Sequence, residues 1–491
     1  MSVAVIQQSD GDKGKEQMKH LAALAILLTV AFTLVRGQIS HSLYAYDEAD
    51  YMFAAGLGVE HNWLDVGSMP LSEFIAVGRG RGADASQQAS LSTLARSGND
   101  PVVYRHWHGP LYYLWLAIPS AAGADEHAER ALSFVFPLLT MLAMYFGSLF
   151  ILGGREGQVA AILSSALFLW SPVTLETTEL APHMMFVLWY VCGLMLLAKA
   201  AAGGGRRFYY GAVVFAGLAF CTLEVAFVPI LVLVIFAWWQ RARLHSNWLL
   251  ARNSAGLLIA TILVVWPTGL LKLSFIKAYL VMLYLAVFRK GAWGDVTLAQ
   301  TWAYRFAISP AEWCLFAAAL ALLVFTRKRA GRDGAVTFGL FAGLMILATL
   351  RVYAESPRYM TPFFPAVELF TAWMLAPAVA RPARTALVYG AVGAVGCLLI
   401  WNAQHQLSGR PAQNDPHPGA LLDALRANRM GEKTLLAPRE AIPTLHFYFP
   451  QMRVQGYSNE NELAAENSGG SFDAVLYPDY LLKVTPTGSH P

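Results

Sequence analysis

The sequence predicts an α-helical polytopic membrane protein with about eleven transmembrane helices, a structured first outer loop and a small carboxyl-terminal α/β domain. Three observations carry that expectation. Of the 491 residues 56% are hydrophobic and only 14% charged, with a mean hydropathy of +0.44, whereas soluble domains carry about 25% charged residues. Apolar runs recur along the chain until Trp401, where the composition turns polar. The basic residues fall between those runs on alternate sides, and a net charge of only +4 spread in this way argues for orientation in a bilayer and against a nucleic-acid partner.

Residues 1–19 read as a cytoplasmic tail, with Lys13, Lys15 and Lys19 ahead of an apolar run. Leu34-Val35-Arg36-Gly37 offers no A-x-A cleavage site, so the first segment reads as a retained signal anchor. Spans need about 17 to 25 mainly apolar residues. That rule marks segments near 20–36, 130–152, 157–174, 182–201, 208–223, 225–240, 249–271, 311–326, 334–350, 359–379 and 385–402, within a membrane domain covering 20–402.

With the amino terminus cytoplasmic, the inside connections hold Arg155, then Arg206 and Arg207, then Arg241, Arg243 and Arg252, then Arg327 to Arg332, then Arg381 and Arg384. The short outside turns near 175–181 and at Glu224 hold no Lys or Arg, which places the first loop and the carboxyl-terminal domain outside. Residues 275–288 are apolar for too short a stretch to span and suit an interfacial helix. The expected location is the inner membrane of a bacterial cell.

The first outer loop, 37–129, is too long for a plain connector. Asp47 to Gly56 reads as a short helix with carboxylates in its first turn, where the helix dipole favours them. Residues 78–100, rich in Gly, Ser and Gln, read as a mobile loop, and an apolar helix too short to span follows Arg105-His106-Trp107-His108-Gly109-Pro110. Pro411, Pro416 and Pro418 mark 403–431 as a linker. Within 432–491, three short strands near 434–437, 453–456 and 474–477 alternate with helical stretches near 440–449 and 459–466, the pattern of a partly parallel α/β sheet. Cys192, Cys221, Cys314 and Cys397 each lie in an apolar run without a CxxC partner and read as buried thiols. No Gly-rich phosphate loop stands in the right context, so no nucleotide cofactor is expected.

The acidic stretch Tyr46-Asp47-Glu48-Ala49-Asp50-Tyr51 follows the first span, His108-Gly109-Pro110-Leu111-Tyr112-Tyr113 closes the first loop, and Pro357-Arg358-Tyr359-Met360-Thr361-Pro362 precedes a late span. Together these resemble the C-type membrane glycosyltransferases, within them the protein O-mannosyltransferase and lipid A aminoarabinose transferase group. The resemblance implies inverting transfer of a sugar from a polyprenyl-phosphate carrier to a protein, lipid or glycan acceptor on the outer face of the membrane.

The residue types suit that chemistry. An acceptor hydroxyl sheds a proton as it attacks the anomeric carbon, and a carboxylate in reach is a suitable general base. The resemblance assigns that part to Asp47. Glu48 points about 100° away on a helix and either meets acceptor or metal or caps the helix, while Asp50, which shares a face with Asp47 at i, i+3, and Glu179 are further acceptor or metal contacts. The phosphate leaving group needs cations. Arg358 matches the resemblance's Arg-Tyr position, with Arg105, Arg351 and His108 as further phosphate contacts.

A divalent metal stays open, with His106, His108 and Glu179 as the candidate ligands. Glu176, Glu179 and His183 could line one face near the outer end of two spans, and Glu224 interrupts a long apolar run where the chain turns outward. The alternative is a transporter or flippase of lipid-linked saccharides without transferase activity. That class keeps ionisable groups near the midplane and shows internal repeats, neither of which is evident here.

Overall fold

The chain is almost all helix until it reaches a small sheet near its carboxyl terminus. The computed structural model describes residues 22–29, 31–33, 44, 47–64, 70–72, 75, 108–171, 174, 180–279, 297–325, 331–350, 360–380, 416–438, 441–449, 451–457, 460–469, 472–477 and 482–484. The expectations for 78–100 and 385–402, and most of 275–288, fall outside the described residues.

The first loop contributes α1 (Asp47–Gly56), α2 (Gly58–Leu64) and α3 (Leu111–Ala121), which pack on one another, followed by α4 (Glu126–Ser133). The bundle then runs through α5 (Val135–Leu152), α6 (Gly154–Trp170), α7 (His183–Lys199), α8 (Arg206–Phe220), α9 (Phe227–Trp239) and α10 (Trp248–Val265). Its last described helices are α11 (Leu298–Ile308), α12 (Pro310–Phe325), α13 (Arg332–Ala348) and α14 (Phe364–Val379).

By length and composition, three helices among the described residues can cross a membrane: Glu126–Leu152, His183–Gly204 and Trp248–Val265. The bent pair α11 and α12, meeting at 94°, makes a fourth if it counts as one span. The hydropathy pattern anticipates α12 but not α11, which starts at a capping box between Thr297 and Gln300.

Burial separates the helices by role. The central one is α7, with 78% of its most apolar window buried against 11% for α10. Aromatic pairs knit α7 to α13 and α13 to α14: Tyr190 stacks on Phe341 at 4.4 Å and Phe338 meets Trp373 edge-on at 4.8 Å. The buried Trp373 indole donates to the Ser148 hydroxyl of α5 at 2.9 Å, so its polar atom is satisfied inside the bundle. Between α5 and α6 the chain reverses over Gly153 (φ 65°) and Gly154 (φ 50°), a left-handed pair that only glycine adopts without strain.

From α5 to α9 the helices alternate in direction, with α5 packed on α6 and α7, and α8 on α7 and α9. One end of the bundle therefore collects the starts of α5, α7 and α9, including His183 and Glu224. The other collects Arg155, Arg206, Arg207, Arg241 and Arg243, the arginines expected to share a side.

Beyond the bundle, Pro416–Ala427 of the stretch read as a linker forms a helix, α15. Its Leu421, Leu422 and Leu425 are buried in the core of the sheet unit. The sheet has the order β2-β1-β3-β4, with β1 (Thr434–Pro438) paired parallel to β2 (Arg453–Tyr457) and to β3 (Ala474–Leu476). A fourth strand absent from the sequence reading, β4 (Leu482–Val484), closes the β3 edge antiparallel.

Alternation along β1 divides the core. Leu435 and Ala437 face α15 and α16 (Ile442–Tyr448), while Leu436 faces Tyr457 and Phe472 near α17 (Glu460–Gly469).

Candidate active site

Asp47 is the first residue of α1, and the residue after it anchors the helix. Glu48, 8% exposed, accepts from Arg130 Nη2 at 2.6 Å and Nε at 3.1 Å, and from the Leu180 N–H at 3.0 Å. This is the bidentate, charge-assisted geometry in which a buried ion pair recovers its desolvation cost. Arg130 sits in the last turn of α4, whose start is fixed by the Asp125 carboxylate accepting the Ala128 N–H at 2.8 Å. One carboxylate thus ties the start of α1 to α4 and to the chain entering α7.

A second tie lies further along α1. His108 places Nδ1 2.7 Å from Glu224 Oε2 and Nε2 3.3 Å from the Tyr51 hydroxyl, with the His183 ring 6.3 Å away. A carboxylate only accepts, so Nδ1 is the donor and Nε2 is left to accept from Tyr51. The close approach depends on Gly109, where a Cβ would lie 2.3 Å from the Cys221 carbonyl carbon and oxygen. The neighbouring Leu111 N–H donates to that same oxygen at 3.0 Å, which seats the end of the first loop on the α8–α9 turn.

The third tie comes from the carboxyl-terminal unit. The Tyr448 hydroxyl accepts the Tyr44 N–H at 2.9 Å and donates to Glu126 Oε1 at 3.1 Å. Phe447 meets the Tyr44 ring edge-on at 5.3 Å, and the Arg130 guanidinium lies 5.4 Å from that ring's centre. Burial pushes the Tyr448 phenol up, with Glu126 adding to the shift, so the hydroxyl keeps its proton through neutral pH.

Of the residues marked in the sequence, Glu48, Asp50, His108, His183 and Glu224 stand at one end of the bundle or on α1, whose first residue is Asp47. Asp50 is half-buried, one turn along from Asp47. Arg105, His106, Glu176, Glu179, Arg351 and Arg358 lie outside the described residues.

Among the described residues no group of three or more His, Cys, Asp or Glu could hold a metal ion. The sequence reading missed Arg130, Tyr51 and Tyr448. For Arg130 a signal existed in Asp125-Glu126-His127-Ala128-Glu129-Arg130, an N-cap followed by a short polar helix with its cation in the last turn.

Neither a protein-family model nor a curated protein sequence matches the chain. Solved structures match in fold. ArnT from Cupriavidus metallidurans, in its apo state and bound to undecaprenyl phosphate, is similar at 15% identity and TM-score 0.54, over 92% of this chain and 89% and 88% of those chains. The Archaeoglobus fulgidus oligosaccharyltransferase in its apo form is similar at 12% identity and TM-score 0.61, over 93% of this chain and 69% of that one. The same enzyme is known in complex with Zn and sulfate. The archaeal oligosaccharyltransferase AglB with an inhibitory peptide and a dolichol-phosphate is similar at 11% identity and TM-score 0.56, over 97% of this chain and 75% of that one. The fold is that of the C-type membrane glycosyltransferases.

Proposed function

We propose that the protein transfers a sugar from a polyprenyl-phosphate carrier to an acceptor at the outer face of a membrane, with inversion and with Asp47 as general base. The observation that carries this reading is the anchoring of α1. Glu48, bound by Arg130 and the Leu180 N–H, fixes the helix at the residue next to Asp47. A base works when it is held within reach of the proton it takes, and a helix pinned at its first turn meets that need.

With both oxygens engaged, Glu48 serves to hold α1, and acceptor contact falls to Asp47 and Asp50. His108, gripped by Glu224 and Tyr51, lines the same end of the bundle, and a phosphate contact there would have Nε2 carry a proton and meet the phosphate oxygen in place of the Tyr51 hydroxyl. Arg358, Arg351 and Arg105 supply the cations for the leaving phosphate in this reading, and the lipid tail lies in an apolar groove between spans. His106 and Glu179 are the residues to examine for metal binding, which the Zn complex of a protein of similar fold motivates. The donor sugar is a hexose or a pentose. In this topology eleven helices cross a bacterial inner membrane, the amino terminus is cytoplasmic, and the first loop and residues 432–491 are outside, after a linker at 403–431.

The test is transfer in membranes from a panel of labelled polyprenyl-phosphate sugars, comparing wild type with Asp47→Asn at equal expression. Loss of transfer in a folded variant is the expected result, and the active donor names the sugar. Equal rates would remove Asp47 from the mechanism. Saccharide-lipid movement across vesicles without transfer from any donor would favour the flippase.

A further inference from the structure

The carboxyl-terminal unit reaches the acidic helix through a short element. Helix α16 has two faces. Ala441 and Leu445 are buried in the core of the sheet unit, while Phe447 and Tyr448 pack against the core that contains Tyr44, Ala49 and Met52. Tyr448 belongs to both, and α16 packs along α1.

The Tyr448 hydroxyl joins two groups. It accepts from the backbone N–H of Tyr44, three residues before Asp47, and donates to Glu126 in the first turn of α4. That same α4 carries Arg130, the partner of Glu48. A path therefore runs from Tyr44 through Tyr448 and Glu126 to Arg130 and Glu48, and its two ends flank Asp47 in the sequence.

We infer that Tyr448 is a positioning residue for Asp47: through its hydroxyl, the carboxyl-terminal unit sets where the acidic helix begins. The inference rests on the reading of Asp47 as base. It gives the unit a part in the reaction in addition to whatever acceptor contacts it makes. A hydroxyl that fixes the approach of a base acts on the chemical step and leaves donor binding alone, since the lipid phosphate is held by other residues.

The test uses the full-length protein in membranes, with polyprenyl-phosphate sugar as donor, and measures kcat and the donor KM for wild type, Tyr448→Phe, Glu126→Ala, Glu126→Gln and Asp47→Asn. Tyr448→Phe keeps the ring and its packing and removes only the hydroxyl. It should lower kcat about tenfold, the order expected for one lost buried hydrogen bond, and leave KM within about twofold. Its pH–rate profile should run parallel to that of wild type, because the hydroxyl stays protonated through neutral pH. Glu126→Ala should lower kcat in the same direction, and Glu126→Gln, whose amide oxygen still accepts, should recover part of the loss.

A wild-type kcat in Tyr448→Phe while Asp47→Asn is inactive would overturn the inference and spare the functional reading. A loss in kcat no larger than the loss of folded protein, measured by thermal unfolding, would also overturn it. Should Tyr448→Phe fail to accumulate, equal kcat for Glu126→Ala and Glu126→Gln would overturn it in the same way. Full transfer by Asp47→Asn would remove the functional reading itself, and this inference with it.

Discussion

Two arginines hold opposite ends of the bundle, and they do so by different physics. Arg130 is 4% exposed and meets Glu48 with two parallel hydrogen bonds, while Glu48 also accepts a buried backbone N–H. Arg243 has a side chain 53% exposed, meets Asp333 through one contact at 2.9 Å, and shares its donors with the Ala201 carbonyl. Its neighbour Arg206 donates to the Leu244 and His245 carbonyls at 2.6 and 2.8 Å. At that end guanidinium groups cap carbonyls in reach of water. At the other end a guanidinium is matched atom for atom to one carboxylate, and geometry matters more than charge.

The comparison predicts a ranked series. Arg130→Ala leaves Glu48 buried without its cation and should cost about 3–5 kcal/mol, read as a large fall in thermal midpoint and in the yield of monodisperse protein in detergent. A fall no larger than that of a surface variant would break the contrast. Arg130→Lys restores the charge but not the fork, so it should sit between, about 1.5–3 kcal/mol below wild type. A lysine variant as stable as wild type would mean that charge alone suffices there.

Arg243→Ala should be the mildest, about 0.2–1 kcal/mol given the exposure of both partners, and its effect should shrink in high salt. The Arg130 variants should be insensitive to salt over the same range. Chemical or thermal unfolding at two ionic strengths checks all three.

Legibility in the sequence followed the range of the interactions. The bounds of α1 were readable because its carboxylates sit in its own first turn, next to the residues they help. The regions of the first three strands are readable from local alternation. In contrast, β4 is three residues long, with an intermediate-exposed-intermediate burial pattern, and gives no periodic signal.

The same limit governed the site. Glu48 was visible as a carboxylate but its partner lies 82 residues away, and no local pattern pairs a motif residue with the end of a separate helix. His108 stands out in the sequence by its chemistry, whereas its grip by Glu224, 116 residues on, follows from the way Gly109 lets two backbones touch. Tyr448 looked like one more aromatic residue in a polar segment. Only the docking of α16 gave its hydroxyl two partners.

The clamp at Tyr44 also has an order in time. Its two members are 404 residues apart, so at about 5–20 residues per second roughly 20–80 s of synthesis separate them. The acidic helix is among the first elements to leave the ribosome, and its fastening is among the last. Throughout that interval the helices up to α14 are made while the start of α1 is still unfastened. A ribosome stalled before Tyr448 would thus release a chain with its bundle built and its acidic helix unlatched.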